Sequence, residues 1–163
     1  MARFQMSQQI AAPVDETFRV FTDFRNAAGR VRGITALEVL TDGPIGVGTR
    51  FRETRVIMNR TATETMEVTR FEPNKLYSVG CDSCGARYDS TFRFTPQAGG
   101  TRVDFEMEAR GTTWFAKLMS ALMGWMVRGM IEKCFRQDID DLKAHLEGRG
   151  AAGGAVQVSA PAS

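Results

Sequence analysis

Arg87-Tyr88-Asp89-Ser90-Thr91-Phe92-Arg93-Phe94-Thr95 and Arg102-Val103-Asp104-Phe105-Glu106-Met107-Glu108-Ala109 are the two runs that decide the fold. In the first, Tyr88, Ser90, Phe92 and Phe94 share one side, and Arg87, Asp89, Thr91 and Arg93 share the other. In the second, Val103, Phe105, Met107 and Ala109 oppose Arg102, Asp104, Glu106 and Glu108. A period of two with one apolar side is the pattern of a strand that is dry on one face and wet on the other. The loop from Pro96 to Gly100 is short and glycine-rich, so the runs are expected to close as a hairpin. Arginines of one strand are then expected across from acids of the other on the wet face.

The same reading extends in both directions. Upstream, Phe4, Met6, Gln8 and Ile10 alternate as an edge strand. Pro13 suits a first helical turn, and Val14, Phe18 and Phe21 recur at helical spacing. Thr22 or Asp23 is placed to cap a second short helix through Asn26 and Ala27. Strands follow over Ile34 to Leu40, Arg50 to Met58, Thr61 to Phe71 and Leu76 to Cys81, divided by turns rich in glycine, proline and asparagine. Downstream, Thr112 or Thr113 caps a long helix from about Trp114 to Glu147. The small residues of Gly148 to Ser163 predict a disordered tail. The expected architecture is α+β: a curved antiparallel sheet of about seven strands, with two short helices and a long C-terminal helix over its concave face. Residues 1–147 form one domain in this reading.

Bulk properties narrow the function classes. The chain has 163 residues, 43% of them hydrophobic and 25% charged, enough for one domain with a sizeable core. A formal net charge of +2 does not point to nucleic acid. No basic segment and apolar core mark a secretory signal at the N-terminus. The most apolar stretch, Trp114 to Ile131, is interrupted by Lys117, Ser120 and Arg128, which makes it a poor membrane span. Three cysteines do not suggest a disulfide scaffold, and a reducing cytoplasm is the expected compartment. No cofactor and no metal are expected.

Few residues carry a chemical signal. Gly46-Val47-Gly48 resembles a phosphate cradle, yet it runs into a strand, so a hairpin turn needing positive φ is preferred. Cys81 and Cys84 have the spacing of half a zinc site or of a redox pair. The remaining ligands, Cys134 and His145, are distant and eleven apart, so flanking a turn is the preferred role. His145, the only histidine, is expected to be solvated near a helix end, where its cation suits the negative dipole. Phe51, Glu53, Arg55 and Ile57 share one side of a strand whose faces both mix charge with apolar groups. Glu53 and Arg55 are candidates for an acid–base pair if they point inward, but an outer charged face is the preferred reading. Phe51, Met66, Val68, Tyr88, Phe92, Phe94, Val103, Phe105 and Met107 are expected inside, and Tyr88 is the candidate hydrogen-bonding group.

The C-terminal helix carries a phase break. Phe135, Ile139, Leu142 and Leu146 recur at helical spacing and predict the face toward the sheet. Continued backward, that stripe meets small and charged residues, while Met119, Met123, Met126 and Met130 fall on the opposite side. A bend at Gly124 or Gly129 would turn these methionines into a cavity mouth. Otherwise they would form a contact for a second copy of the chain or for a membrane surface.

Four short motifs together resemble one superfamily. Ala12-Pro13-Val14-Asp15-Glu16-Thr17-Phe18, Gly46-Val47-Gly48-Thr49-Arg50-Phe51, Phe71-Glu72-Pro73-Asn74-Lys75-Leu76 and Asp141-Leu142-Lys143 occur in the order and spacing of START-like polyketide cyclase/dehydrase proteins, which have the helix-grip fold. The resemblance spans roughly residues 3–147. It implies an internal pocket for a hydrophobic ligand such as a lipid, polyketide, isoprenoid or quinone. The superfamily includes carriers, aromatic polyketide cyclases, plant ligand-binding proteins and chaperone-associated domains, so the fold implies no single reaction. A carrier or binder is the first expectation. A cyclase using Arg55, Glu53 and Tyr88 is the second; an interior without a buried histidine or a carboxylate pair is expected to weigh against it. An interaction module docking through the methionine face is the third.

Overall fold

The computed structural model describes residues 2–57, 59–83, 85–111, 129–130 and 132–148. Its strands are β1 (Ala2–Ile10), β2 (Ile34–Val39), β3 (Arg50–Ile57), β4 (Arg60–Glu72), β5 (Leu76–Ser83), β6 (Ala86–Gln97) and β7 (Gly100–Gly111). All seven form one antiparallel sheet in the order β1-β7-β6-β5-β4-β3-β2. Helix α1 (Val14–Phe21) and a 3-10 helix (Phe24–Gly29) follow β1. The C-terminal helix α2 is described over residues 129–130 and 132–148. The expected α+β architecture is therefore present, and β1 is an edge strand as its pattern predicts.

The alternation that marks the β6–β7 hairpin sets the whole concave face. Phe92 pairs with Phe105 and Phe94 with Val103. The face continues through Tyr77 opposite Phe92, Val79 opposite Val68, and Met66 opposite Phe51. Every described residue expected inside on β3 to β7 lies on this face. A register shift between Val68 and Arg70 breaks strict alternation. The extra residue brings Phe71 rather than Arg70 inward, where its ring stands edge-on to Phe18 at 5.3 Å. Bulges of this kind bend the strand that carries them, which helps the sheet curve around its contents.

Packing is dominated by rings. Phe18 and Phe21 on the buried side of α1 meet Phe94 edge-on at 5.2 and 5.4 Å. Phe24 stacks on Phe51 at 4.6 Å. Pairs of this geometry add about 0.5–1.5 kcal/mol each beyond the area they bury. On α2 the predicted stripe faces the sheet: Phe135 stacks on Phe105 at 4.4 Å, Ile139 and Leu146 are fully buried, and Leu142 packs on the same core.

Three local expectations are corrected. Asp23 occupies the cap position of the 3-10 helix but makes no side-chain cap bond; it accepts from Asn26 Nδ2 and pairs with Arg30 at 2.8 Å. On the wet face, Arg93 lies opposite Asp104 but Arg87 lies opposite Arg110. The ion pairs there run mainly along single strands, as Arg102–Asp104, Arg110–Glu108 and Arg87–Asp89, because a two-residue step keeps partners on one face. Gly148, expected to open the tail, is helical. Residues 149–163 lie outside the described residues, as do Met58, Cys84 and residues 112–128.

Candidate functional site

The concave face carries an aromatic row and an ionic cluster. The row runs from Phe51 through Phe24, Tyr77, Phe92 and Phe105 to Phe135, with neighbouring rings 4.4 to 6.0 Å apart. Tyr77 is held by stacking on Phe92 at 4.8 Å. Met66, Val79, Tyr88 and Phe92 on the same face are only half-buried. These four side chains keep part of their surface accessible on the inner face.

The ionic cluster overturns the preferred outer-face reading of β3. Glu53 is buried at 7% exposure and Arg55 is mostly buried. Arg55 Nε donates to Glu53 Oε1, and its Nη2 lies 2.7 Å from Asp138 Oδ2 on α2. A Cβ at Gly33 would sit 3.5 Å from both Arg55 Nη1 and Asp138 Oδ1, so the loop before β2 closes the third side. The physical reason for the inward orientation is Asp138, which supplies a buried counter-charge from a distant part of the chain. The expectation that the interior lacks a carboxylate pair is corrected at the same point. Glu53 and Asp138 flank one guanidinium.

One cation does not offset the desolvation of two acids. Burial pushes the Glu53 carboxyl above its ordinary range; Arg55 pulls it down, and Asp138 and Glu64 push it up again. Burial likewise raises Asp138, opposed by Arg55. Arg55 loses by burial but gains more from Glu53 and Asp138, and stays charged. Burial, with the charges of Glu53 and Asp138, raises the Tyr77 phenol, which remains a proton donor. On β4, Glu64 accepts from Cys81 Sγ at 3.7 Å, and burial and Glu64 push that thiol up to about 12. A thiol so raised is inert as a nucleophile.

Pins on both flanks hold α2 across the sheet. Arg32 donates from its backbone and its guanidinium to Asp141, each at 2.9 Å. On the other flank, Lys143 Nζ donates to Gln9 O at 2.8 Å and Ala11 N to Glu147 Oε1 at 3.1 Å.

Sequence reasoning placed Phe51, Met66, Val68, Tyr88, Phe92, Phe94, Phe105 and Met107 on the correct face. Val68 and Phe105 are fully buried within the packed core. Tyr88 stands half-buried beside Cys81. Met119, Met123 and Met126, and the bend at Gly124, lie outside the described residues; Met130 is half-buried on α2. His145 is half-buried rather than solvated. Gly48 has φ +85°, as a turn glycine before a strand requires. Among the described residues no group of three His, Cys, Asp or Glu is arranged to hold a metal ion, and no helix is long and apolar enough to cross a membrane.

Tyr77 and Asp138 are among the site residues that escaped the sequence reading. Tyr77 alternates with Val79 and Cys81, a phase that was readable. Asp138 falls three after Phe135 and four before Leu142, so a charged residue inside an apolar helical stripe was its signal. A shallow hollow of about 380 Å³ lined by Ala11, Ala12, Pro13, Val14, Gly99 and Gly100 has no ionisable side chain and shares no residue with this site.

A sheet gripping a helix over an aromatic, sparsely charged inner face defines a helix-grip protein. The chain belongs to the polyketide cyclase / dehydrase and lipid transport family, whose model matches residues 1–147. The family binds hydrophobic ligands. The fold is shared with TTHA0849 from Thermus thermophilus, at 19% identity and a TM-score of 0.75, covering 91% of this chain and 99% of that one. The Zhui aromatase/cyclase from Streptomyces sp. R1128 matches at 15% identity and a TM-score of 0.75, covering 95% and 99%. A START superfamily protein from Mycobacterium smegmatis matches at 14% identity and a TM-score of 0.69, covering 90% and 97%. No curated protein matches the chain in sequence.

Proposed function

We propose that this protein binds or carries a hydrophobic small molecule, of the lipid, polyketide, isoprenoid or quinone class, between the concave face and α2. The observation that carries the reading is the half-buried set Met66, Val79, Tyr88 and Phe92 beside an unbroken row of rings. Such a surface gives affinity through shape and apolar contact, with a few polar groups to orient the ligand. Met130 on α2 adds to the lining in this reading, while Met119, Met123 and Met126 lie outside the described residues. The test is titration with the neutral fluorescent probe Nile red, alongside native mass spectrometry of the freshly purified protein. Saturable binding is expected, and Val79→Trp, which fills the space, should weaken it at least about tenfold. A folded Val79→Trp protein with unchanged probe affinity would place the ligand elsewhere.

A second reading, a cyclase or dehydrase, is favoured by one observation: Glu53, held above the usual carboxyl range, stands with Arg55 and Asp138 on an inner face that also holds Tyr77. A carboxyl raised in this way can retain a proton to donate. Tyr77 takes the role first expected of Tyr88 in this reading. Turnover that survives in both Glu53→Gln and Tyr77→Phe would exclude it.

A further inference from the structure

We infer that the polar end of the ligand is a hydrogen-bond donor without negative charge, such as an alcohol, a phenol or an amine, and not a carboxylate. The inference rests on the ligand site proposed above. Its basis is the balance of groups on the inner face. Among the described residues, three carboxylates meet there, Glu53, Glu64 and Asp138, against one buried cation, Arg55. Carboxyl groups there outnumber the cation.

Geometry removes Arg55 as an anion anchor. A guanidinium grips a carboxylate with two N–H groups on one side of its fork. Here Nε is taken by Glu53 and Nη2 by Asp138, and Nη1 lies 3.5 Å from where a Cβ on Gly33 would stand. An incoming carboxylate would meet a guanidinium already paired through Nε and Nη2 with two carboxylates of the protein. Toward a ligand the cluster offers the oxygens of Glu53, Asp138 and Glu64 as acceptors, Glu64 receiving the weak Cys81 thiol donor among the described residues, and the neutral Tyr77 phenol beside them, which can donate to or accept from a hydroxyl. A hydroxyl or ammonium satisfies them, whereas an anionic head adds a like charge in a poorly hydrated place. The raised Glu53 carboxyl reports the same crowding from within the protein. A molecule with an apolar body and a donating head would lie with its body along the Tyr77–Phe92–Phe105 rings and its head toward β3 and β4.

The experiment is displacement of Nile red by dodecylammonium, dodecanol and dodecanoate, which share one chain and differ at the head. Dodecylammonium should displace the probe at least about tenfold better than dodecanoate, with dodecanol closer to the former. Glu64→Gln and Glu53→Gln should each narrow the gap about threefold or more by strengthening dodecanoate binding. Glu64 is outside the ion pairs of the cluster, so Glu64→Gln decides the matter if Glu53→Gln does not fold. Dodecanoate binding as well as dodecylammonium overturns the inference and leaves the ligand site standing. A gap that neither variant changes also overturns it, because the discrimination would then arise elsewhere. Nile red that never binds refutes the site itself.

Discussion

Replacing Arg55 with methionine keeps most of the side-chain volume and removes the charge that Glu53 and Asp138 share. Breaking a buried ion pair from one side typically costs about 3–5 kcal/mol, because the remaining charge is left without compensation. The Arg55 side chain keeps 20% of its surface accessible, so some water reaches the cluster and the lower end applies. A loss of about 3 kcal/mol lowers the melting temperature of a domain this size by about 6–12 °C. The pH dependence separates this account from simple loss of packing. Glu53 and Asp138 already sit above their unfolded values, so their contribution to stability is present at low pH and is lost as pH rises through the native values. Without Arg55 both rise further. The deficit of the variant should therefore be larger near about pH 7.5 than near about pH 4.5, because protons increasingly neutralise the two acids as pH falls. Carboxylates with the opposite shift, Asp23 and Glu106, weaken both proteins alike as pH falls and cancel in the difference. Thermal melts of both proteins at the two pH values check this. A fall below about 3 °C, or one that is no smaller in acid, would refute the role given to the cluster.

Arg32→Ala should behave differently although its target lies only three residues along α2. The Arg32 side chain is 75% exposed, so losing the Asp141 pair should leave the denaturant midpoint nearly unchanged. Phe105→Ala should cost about 3–5 kcal/mol in the same assay, since Phe105 is 1% exposed and stacks or packs on Phe4, Phe92 and Phe135. Two glycines should part company in thermal melts. A Cβ at Gly100 would lie 2.0 Å from the Ile10 carbonyl oxygen with φ at +153°, so Gly100→Ala should lose about 2 kcal/mol or more. At Gly80 the nearest atom is the end of the flexible Arg87 side chain, which can swing aside, and Gly80→Ala should stay within about 1 kcal/mol.

The β6–β7 hairpin was legible because each strand has one apolar and one charged side, and that contrast alone selects the inner face. β3 lacks the contrast. Phe51, Glu53, Arg55 and Ile57 offer no choice of side without knowledge of what stands above them, and Asp138 is far away in sequence. The same locality hid the bulge after Val68: nothing in Val68-Thr69-Arg70-Phe71 announces that two residues share one step of the ladder. On α2, a search restricted to apolar positions recovered the stripe and passed over the acid within it. Polar members of a buried face are the part of this site that periodicity alone does not find.

The strand order has a consequence for how the chain is made. β1 precedes the other described strands in the chain, yet among them it pairs with β7 alone, so Ala2 waits for Ala109 and Ile10 for Thr101. At cellular elongation rates of about 5–20 residues per second, roughly 5–20 s pass before that partner exists. Through this interval the β2–β6 meander can assemble by local pairing, while Phe4, Met6 and Ile10 have no sheet to cover them. The nascent chain thus carries an unmatched, partly apolar segment until β7 emerges, at the residues that later seal the edge of the finished sheet.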